Sequence, residues 1–453
     1  MTRYWAEQAW LGGEVGPGGR FPGELAQGAN SRVEHGVLIE VRGDRIAAVA
    51  RDEARDGAIE LRGLVLPGLA NAHSHAFHRA LRGRTHRAGG SFWTWREDMY
   101  AAAASLDPDS YRALARAVFG EMALAGITGV GEFHYLHHGP GGTPYDDPNA
   151  MGHALIEAAA EAGIRITLLD TCYLASGFGT PPEGVQERFS DGDAAAWAER
   201  ASALRGAPHA RIGAAIHSVR AVPAGQLATV ADWARERGVP LHAHLSEQRA
   251  ENEACLAATG RTPAELLDEH GALGPHCCMV HATHLTDADV ERLGGTAVCI
   301  CATTERDLAD GIGPARALAS PLCLGSDSHA VIDLFEEARA VELDERLRSE
   351  RRGHFSAAEL LRAATDHASI GWPEAGRIEP GAPADLVAVS LDSVRLAGAH
   401  PDTLLESAVF AATAADVRDV IASGRQIVRD GRHTSIDVPA ALQQTCLAPL
   451  LRA

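Results

Sequence analysis

Eight short apolar runs, separated by Ala-, Leu- and Glu-rich stretches and mostly closing in polar residues, constrain this chain more than any other feature of its sequence. They end at Asn71-Ala72-His73-Ser74-His75, Gly131-Glu132-Phe133-His134-Tyr135, Leu169-Asp170-Thr171-Cys172, Ala215-Ile216-His217-Ser218, Leu241-His242-Ala243-His244, Met279-Val280-His281, Val298-Cys299-Ile300-Cys301 and Leu324-Gly325-Ser326-Asp327. Apolar runs alternating with helical stretches predict βα units around a parallel sheet. Eight such units predict an α/β fold, a (β/α)8 TIM-like barrel, whose chemistry sits at the C-terminal ends of its strands. On both sides the texture changes to short strands, Val37 to Val41 and Arg45 to Val49 before the barrel, Ala384 to Val389 and Val420 to Arg425 after it. The expected organisation is therefore 1–66 and 373–453 as the two parts of a small β-sandwich domain, with 67–372 as the barrel. Gly12 to Gly28 reads as a flexible insert.

Charge and composition then remove whole classes of function. The formal net charge of -19 argues against nucleic-acid or anionic-membrane partners, which need a basic face, and leaves small molecules. All 41 basic residues are arginine. Without an ε-amine there is no Schiff base, no pyridoxal-phosphate lysine, no P-loop lysine and no lysine carbamate bridging two metals. The N-terminus lacks a signal peptide's pattern and no run approaches the ~18 apolar residues of a membrane span, so a cytoplasmic protein is expected. The eight cysteines form no CxxC pair. They read as reduced, buried thiols rather than a structural zinc site.

His73-x-His75 is the first chemical signal, because strand residues i and i+2 point to one side and two imidazoles can reach one ion. Alone, such a pair could equally be polar residues satisfied by neighbours. Its company is what matters: His244, His281 and Asp327 close the fifth, sixth and eighth runs, and a barrel gathers all of them around one axis. Imidazoles with one carboxylate and an open position suit a single catalytic zinc. The expected ligands are His73, His75, His244 and Asp327, with His281 kept for proton handling or charge stabilisation. Glu247 follows His244 by three residues and is a candidate proton shuttle, or else a carboxylate complementing the start of the next helix.

These residues together resemble the amidohydrolase superfamily, and Gly376-Arg377-Ile378-Glu379-Pro380-Gly381-Ala382-Pro383-Ala384-Asp385-Leu386-Val387 is similar to that superfamily's return into its β-domain. The absence of lysine matches its one-metal deaminase branch. Six local words are more specific: Ala72-His73-Ser74-His75-Ala76-Phe77, Ser91-Phe92-Trp93-Thr94-Trp95-Arg96, Glu132-Phe133-His134-Tyr135, His217-Ser218-Val219-Arg220-Ala221-Val222, His244-Leu245-Ser246-Glu247-Gln248 and Thr303-Thr304-Glu305-Arg306-Asp307-Leu308-Ala309-Asp310-Gly311. They resemble members that deiminate N-formimidoyl-L-glutamate to N-formyl-L-glutamate and ammonia in histidine degradation. That resemblance implies one zinc per subunit, a homodimer, and Arg96, Tyr135, His217 and Arg220 as substrate-binding positions. His78 departs from the pattern, which has glutamine there, and is either a substrate contact or a local structural replacement.

The implied substrate carries two carboxylates and an amidine, and arginine's planar fork pairs carboxylates bidentately. Asp327 is expected to help deprotonate the attacking water, Glu247 to carry the proton to the departing nitrogen, and His281 to stabilise charge in the tetrahedral intermediate. The competing reaction is deamination of an amino-heterocycle such as guanine, for which Phe92, Trp93 and Trp95 would supply aromatic walls. A non-catalytic scaffold on the same fold would not need the metal ligands this sequence retains.

Overall fold

The computed structural model of the chain describes residues 1–12, 32–84 and 92–447, with the side chains of 92–94 left aside. Apart from Gly12, the expected insert lies outside the described residues.

Eight parallel strands form the barrel in chain order: β5 Leu69–Ser74, β6 Ile127–His134, β7 Arg165–Cys172, β8 Ala210–Ile216, β9 Leu241–Leu245, β10 Cys277–His281, β11 Ala297–Ile300 and β12 Leu322–Leu324. Most are buried along their whole length, as strands covered on both faces must be. Each coincides with one of the eight apolar runs. A single parallel bridge between Ser74 and Asp327 joins β12 to β5 and closes the ring.

The helices between strands follow local rules. In Pro108–Leu124, Asp107 accepts from the Ser110 amide and Ser110 caps back, with proline in the first turn. Its buried residues Tyr111, Leu114, Ala115, Val118, Phe119 and Met122 recur every three or four positions and lay one face on the barrel. Ser356 opens Ala357–Ala364 with the same capping box through Glu359.

The flanking segments supply β1 Thr2–Ala9, β2 Glu34–Arg42, β3 Arg45–Ala50, β4 Ile59–Pro67, β13 Leu386–Val389, β14 Val417–Ala422, β15 Arg425–Arg429 and β16 Arg432–His433. They form one mixed sheet in the order β16-β15-β14-β13-β4-β1-β2-β3, in which only β1 and β4 pair in parallel. The sheet folds back on itself: Ile46 on β3 donates to Ala382 O (2.9 Å) and the Ala384 amide donates to Asp44 O (2.8 Å). A second core of Tyr4, Ile39, Val41, Leu61, Leu386 and Ile421 fills the space between the layers.

Sheet and barrel join at Gly68, the one residue between β4 and β5. A Cβ there would lie 2.2 Å from Thr128 Oγ1, so a side chain cannot occupy that crossing. Beside it the buried Arg165 of β7 makes a bidentate pair with buried Asp385, which also accepts from the Ser423 amide (2.8 Å). Among the described residues no helix is long and apolar enough to cross a membrane.

Candidate metal centre and substrate pocket

β5 places His73 and, just past its last residue, His75 at the barrel's strand ends, β9 adds His244, and the residues after β12 add Asp327. His73 Nε2 lies 3.1 Å from His244 Nε2, and Asp327 Oδ1 lies 3.3 Å from His73 Nε2 and 3.4 Å from His75 Nε2. Their ligand atoms all fall within 4.8 Å of one another.

The remaining hydrogen bonds say what these nitrogens present. His75 Nδ1 donates to Phe133 O and His244 Nδ1 to His217 O, each at 2.9 Å. With Nδ1 protonated, each Nε2 turns a lone pair towards the cluster. Burial pushes all three imidazoles down, His75 and His244 well below the ordinary histidine value, which keeps them neutral. Burial acts the other way on Asp327, but His73, His281 and His75 outweigh it and hold the carboxyl well below its usual range. The neutral nitrogen lone pairs of His75 and His244 and a carboxylate oxygen of Asp327 converge with His73 Nε2 at contact distance. A cation is what such a cluster fits, and three imidazoles with one carboxylate suit zinc.

Glu247, in the turn after β9, approaches His281 Nε2 at 3.9 Å, and His281 lies 3.8 Å from Asp327 on the same side. Burial raises Glu247 to about 8, helped by Asp310 and Asp327 and opposed by His281. Burial would lower His281, yet Glu247, Glu305 and Asp327 outweigh it and carry it to about 10. Ser246, His281 and Asp327 all have left-handed backbone, with φ of 50°, 70° and 40°. Such conformations cost about 1–3 kcal/mol each and concentrate where side chains must be aimed.

A pocket of about 570 Å³ brings together every expected site residue except His73, which is fully buried beneath it. Arg96 and Arg220 stand on its wall. Arg220 donates to Ser176 O at 3.3 Å and has the Tyr173 hydroxyl and the Glu251 carboxyl as neighbours. The pocket offers a guanidinium to an incoming anion. His78 Nε2 and Tyr135 OH are hydrogen-bonded to each other at 2.9 Å. His217 packs edge-on against Tyr135 and Tyr173. Trp95 lines the pocket, whereas the side chains of Phe92 and Trp93 lie outside the description.

Several residues in or behind the pocket wall were not anticipated. Tyr100 follows Arg96 by one helical turn, and its ring sits 5.5 Å from the Arg96 guanidinium. Gln186 donates to both Tyr100 OH (2.7 Å) and Tyr173 OH (2.9 Å), tying two parts of the wall together. Glu305, 3.5 Å from His281 Nδ1, backs the imidazole. The i+4 spacing could have found Tyr100; nothing local in sequence pairs Gln186 with it.

Two other groupings are chemically weaker. Cys301 lies near His281 and Asp327, but burial holds its thiol well above the usual value and so protonated, a poor ligand. In the His134, His137 and Asp170 group the carboxylate is already engaged by Arg200 (2.9 Å at both oxygens) and by Trp197 Nε1 (2.8 Å). All eight cysteines are free, six of them buried, and none forms a disulfide.

A sequence profile described as "Amidohydrolase family" matches residues 64–427. The formimidoylglutamate deiminase of Pseudomonas aeruginosa is 39% identical over 437 residues, covering 92% of this chain and 96% of that protein. A 5-methylthioadenosine/S-adenosylhomocysteine deaminase of Natronomonas pharaonis is 29% identical over 421 residues, covering 90% and 91%. Among solved structures, an amidohydrolase from Brucella melitensis superposes with a TM-score of 0.88 at 32% identity, covering 99% of this chain and 100% of that one.

Proposed function

The chain belongs to the amidohydrolase family, a metal-dependent one, and is a hydrolase of C–N bonds; from that premise we propose that it deiminates N-formimidoyl-L-glutamate in histidine degradation, with one zinc ion per subunit. The observation that carries this reading is one pocket in which Arg96 and Arg220 share the wall with the His/Asp cluster. Two guanidiniums match the substrate's two carboxylates, and the cluster meets its amidine.

The reaction consumes water and the formimidoyl group, breaks the bond to the terminal nitrogen, and leaves N-formyl-L-glutamate and ammonia. His73, His75, His244 and Asp327 would hold the zinc, which when bound would supply the Lewis acidity that makes water a competent nucleophile near neutral pH. Asp327, kept ionised, accepts the proton of the attacking water. Glu247, kept protonated by burial up to about pH 8, delivers a proton to the departing nitrogen. His281, raised above its ordinary value by Asp327 and Glu305 beside it, stabilises the negative charge that develops during attack. Tyr135, His217 and His78 complete the recognition with neutral hydrogen bonds.

A second reading has its own observation. Trp95, Tyr100, Tyr135, Tyr173 and Phe189 line the same pocket and would suit a flat amino-heterocycle. The experiment that separates the two is ammonia release by zinc-loaded protein given N-formimidoyl-L-glutamate, N-formimidoyl-L-aspartate and guanine in parallel, with products identified by mass. Preferential conversion of the first to N-formylglutamate is expected. Inertness towards it, with turnover of guanine, would move the assignment to the heterocycle.

A further inference from the structure

The barrel is weakest in backbone bonding where its metal ligands are densest. Every other neighbouring pair of barrel strands shares at least three paired residues, but β12 has only three residues and meets β5 through the single Ser74–Asp327 bridge. Ser74 stands between His73 and His75, and Ser326 precedes Asp327.

Two backbone hydrogen bonds cross there, Asp327 N to His73 O (3.0 Å) and His75 N to Asp327 O (3.3 Å), and side chains add to them. Asn71 Nδ2 donates to Ser326 Oγ (2.7 Å) and the Ser326 amide donates to Asn71 Oδ1 (2.9 Å). Ser326 Oγ meets His329 Nδ1 at 3.0 Å, His329 Nε2 meets Ser74 Oγ at 3.1 Å, and Ser74 Oγ donates to Glu132 Oε2 at 2.5 Å. The second Glu132 oxygen accepts the Ala76 amide (2.6 Å), one residue past His75. Asn71, Ser74, Glu132, Ser326 and His329 are all fully buried. The network spans β5, β6 and the segment after β12, and among the described residues His329 is the side chain hydrogen-bonded to both Ser74 and Ser326.

We propose that His329 is a positioning residue for the metal centre, bridging Ser74 and Ser326 so that the two backbone segments carrying His73, His75 and Asp327 keep a fixed separation. A neutral imidazole presents one donor and one acceptor nitrogen, as the two hydroxyls require. A glutamine amide offers the same pair and a leucine offers neither. Among the described residues the His329 side chain is hydrogen-bonded to the two serines and to no ligand side chain, so its effect runs through the backbone on either side of the seam.

The inference rests on the reading of His73, His75, His244 and Asp327 as ligands, and its test is metal binding rather than turnover. Metal-free wild type, His329→Gln and His329→Leu are titrated with Co2+, following the visible absorption band, and then with Zn2+ against a competing chelator. Removing outer-shell partners of a metal site typically costs about 10–100-fold in affinity. His329→Leu is expected to lose affinity in that range with an altered cobalt spectrum, and His329→Gln to stay close to wild type in both. A residue important only for packing would lower the melting temperature of the metal-free protein and leave affinity and spectrum unchanged, which overturns the proposal; so does equal impairment of both variants. Should His329→Leu fail to fold, Ser326→Ala removes the same link without emptying the ring's space and takes its place, with the same criteria. Wild type that takes up no cobalt or zinc would instead refute the ligand assignment itself.

Discussion

Glu247 and His281 face each other at 3.9 Å inside the pocket, and burial gives the carboxyl a proton that an exposed glutamate would have lost. Glu247→Gln should lower kcat by roughly 10²–10⁴, the usual worth of a positioned acid or base, while zinc content measured by elemental analysis stays the same. The wild-type kcat should fall as pH rises through about 8, where Glu247 ionises; a rate flat from pH 7 to 9 would remove it as the acid. Arg220→Met should cost about 1.5–3 kcal/mol of charge-assisted hydrogen bonding, read as roughly 10- to 150-fold in kcat/KM for a carboxylate substrate. At this scale the sequence was informative because strand ends and local words carry their own chemistry. His73, His75, His244 and Asp327 were each readable as the polar close of an apolar run. Gln186 was not, since its partners Tyr100 and Tyr173 are more than ten positions away and nothing in its own neighbourhood marks them; Glu305 lay inside one of the six local words, but nothing there marked His281 as its partner.

The elements that aim these side chains are short and tightly packed. Gly325, between β12 and the Ser326-Asp327 pair, sits so close to β5 that a Cβ would lie 2.7 Å from His73 Cβ and 2.9 Å from Cys301 Sγ. Gly325→Ala should therefore destabilise the fold by about 1–3 kcal/mol through overpacking and weaken metal binding together with it. Urea unfolding and chelator competition on the same variant would check both, and an unaffected metal site would show that the strand absorbs the methyl elsewhere. All eight barrel strands were legible, because apolar runs bounded by polar ends need no knowledge of the tertiary fold. The Tyr100–Gln186–Tyr173 wall was not, since it depends on how the loops after β5 and β7 fold over one another.

Across the molecule, the joint between barrel and outer sheet rests on the buried Arg165–Asp385 pair. Arg165→Met leaves a carboxylate buried without its partner and should cost about 3–5 kcal/mol in urea unfolding. Burial would raise Asp385, but Arg165 outweighs it and holds the carboxyl below its ordinary value. The pair's stabilisation is thus present above the unfolded carboxylate value of ~3.9 and is lost as pH falls through the lower folded one. Asp385→Asn should flatten the wild type's loss of stability in that acid window. The sequence indicated that the two flanking segments belong together, yet the β13–β4 pairing joins residues more than three hundred positions apart, and no local pattern sets that order or its folding into one continuous sheet. The central claim, that four residues of this barrel hold one zinc on which amidine hydrolysis depends, is tested most directly by titrating chelated protein with zinc while following ammonia release from N-formimidoyl-L-glutamate. Activity should rise linearly from none and plateau at one zinc per chain; full activity in the chelated protein, or no turnover at any zinc level, would contradict it.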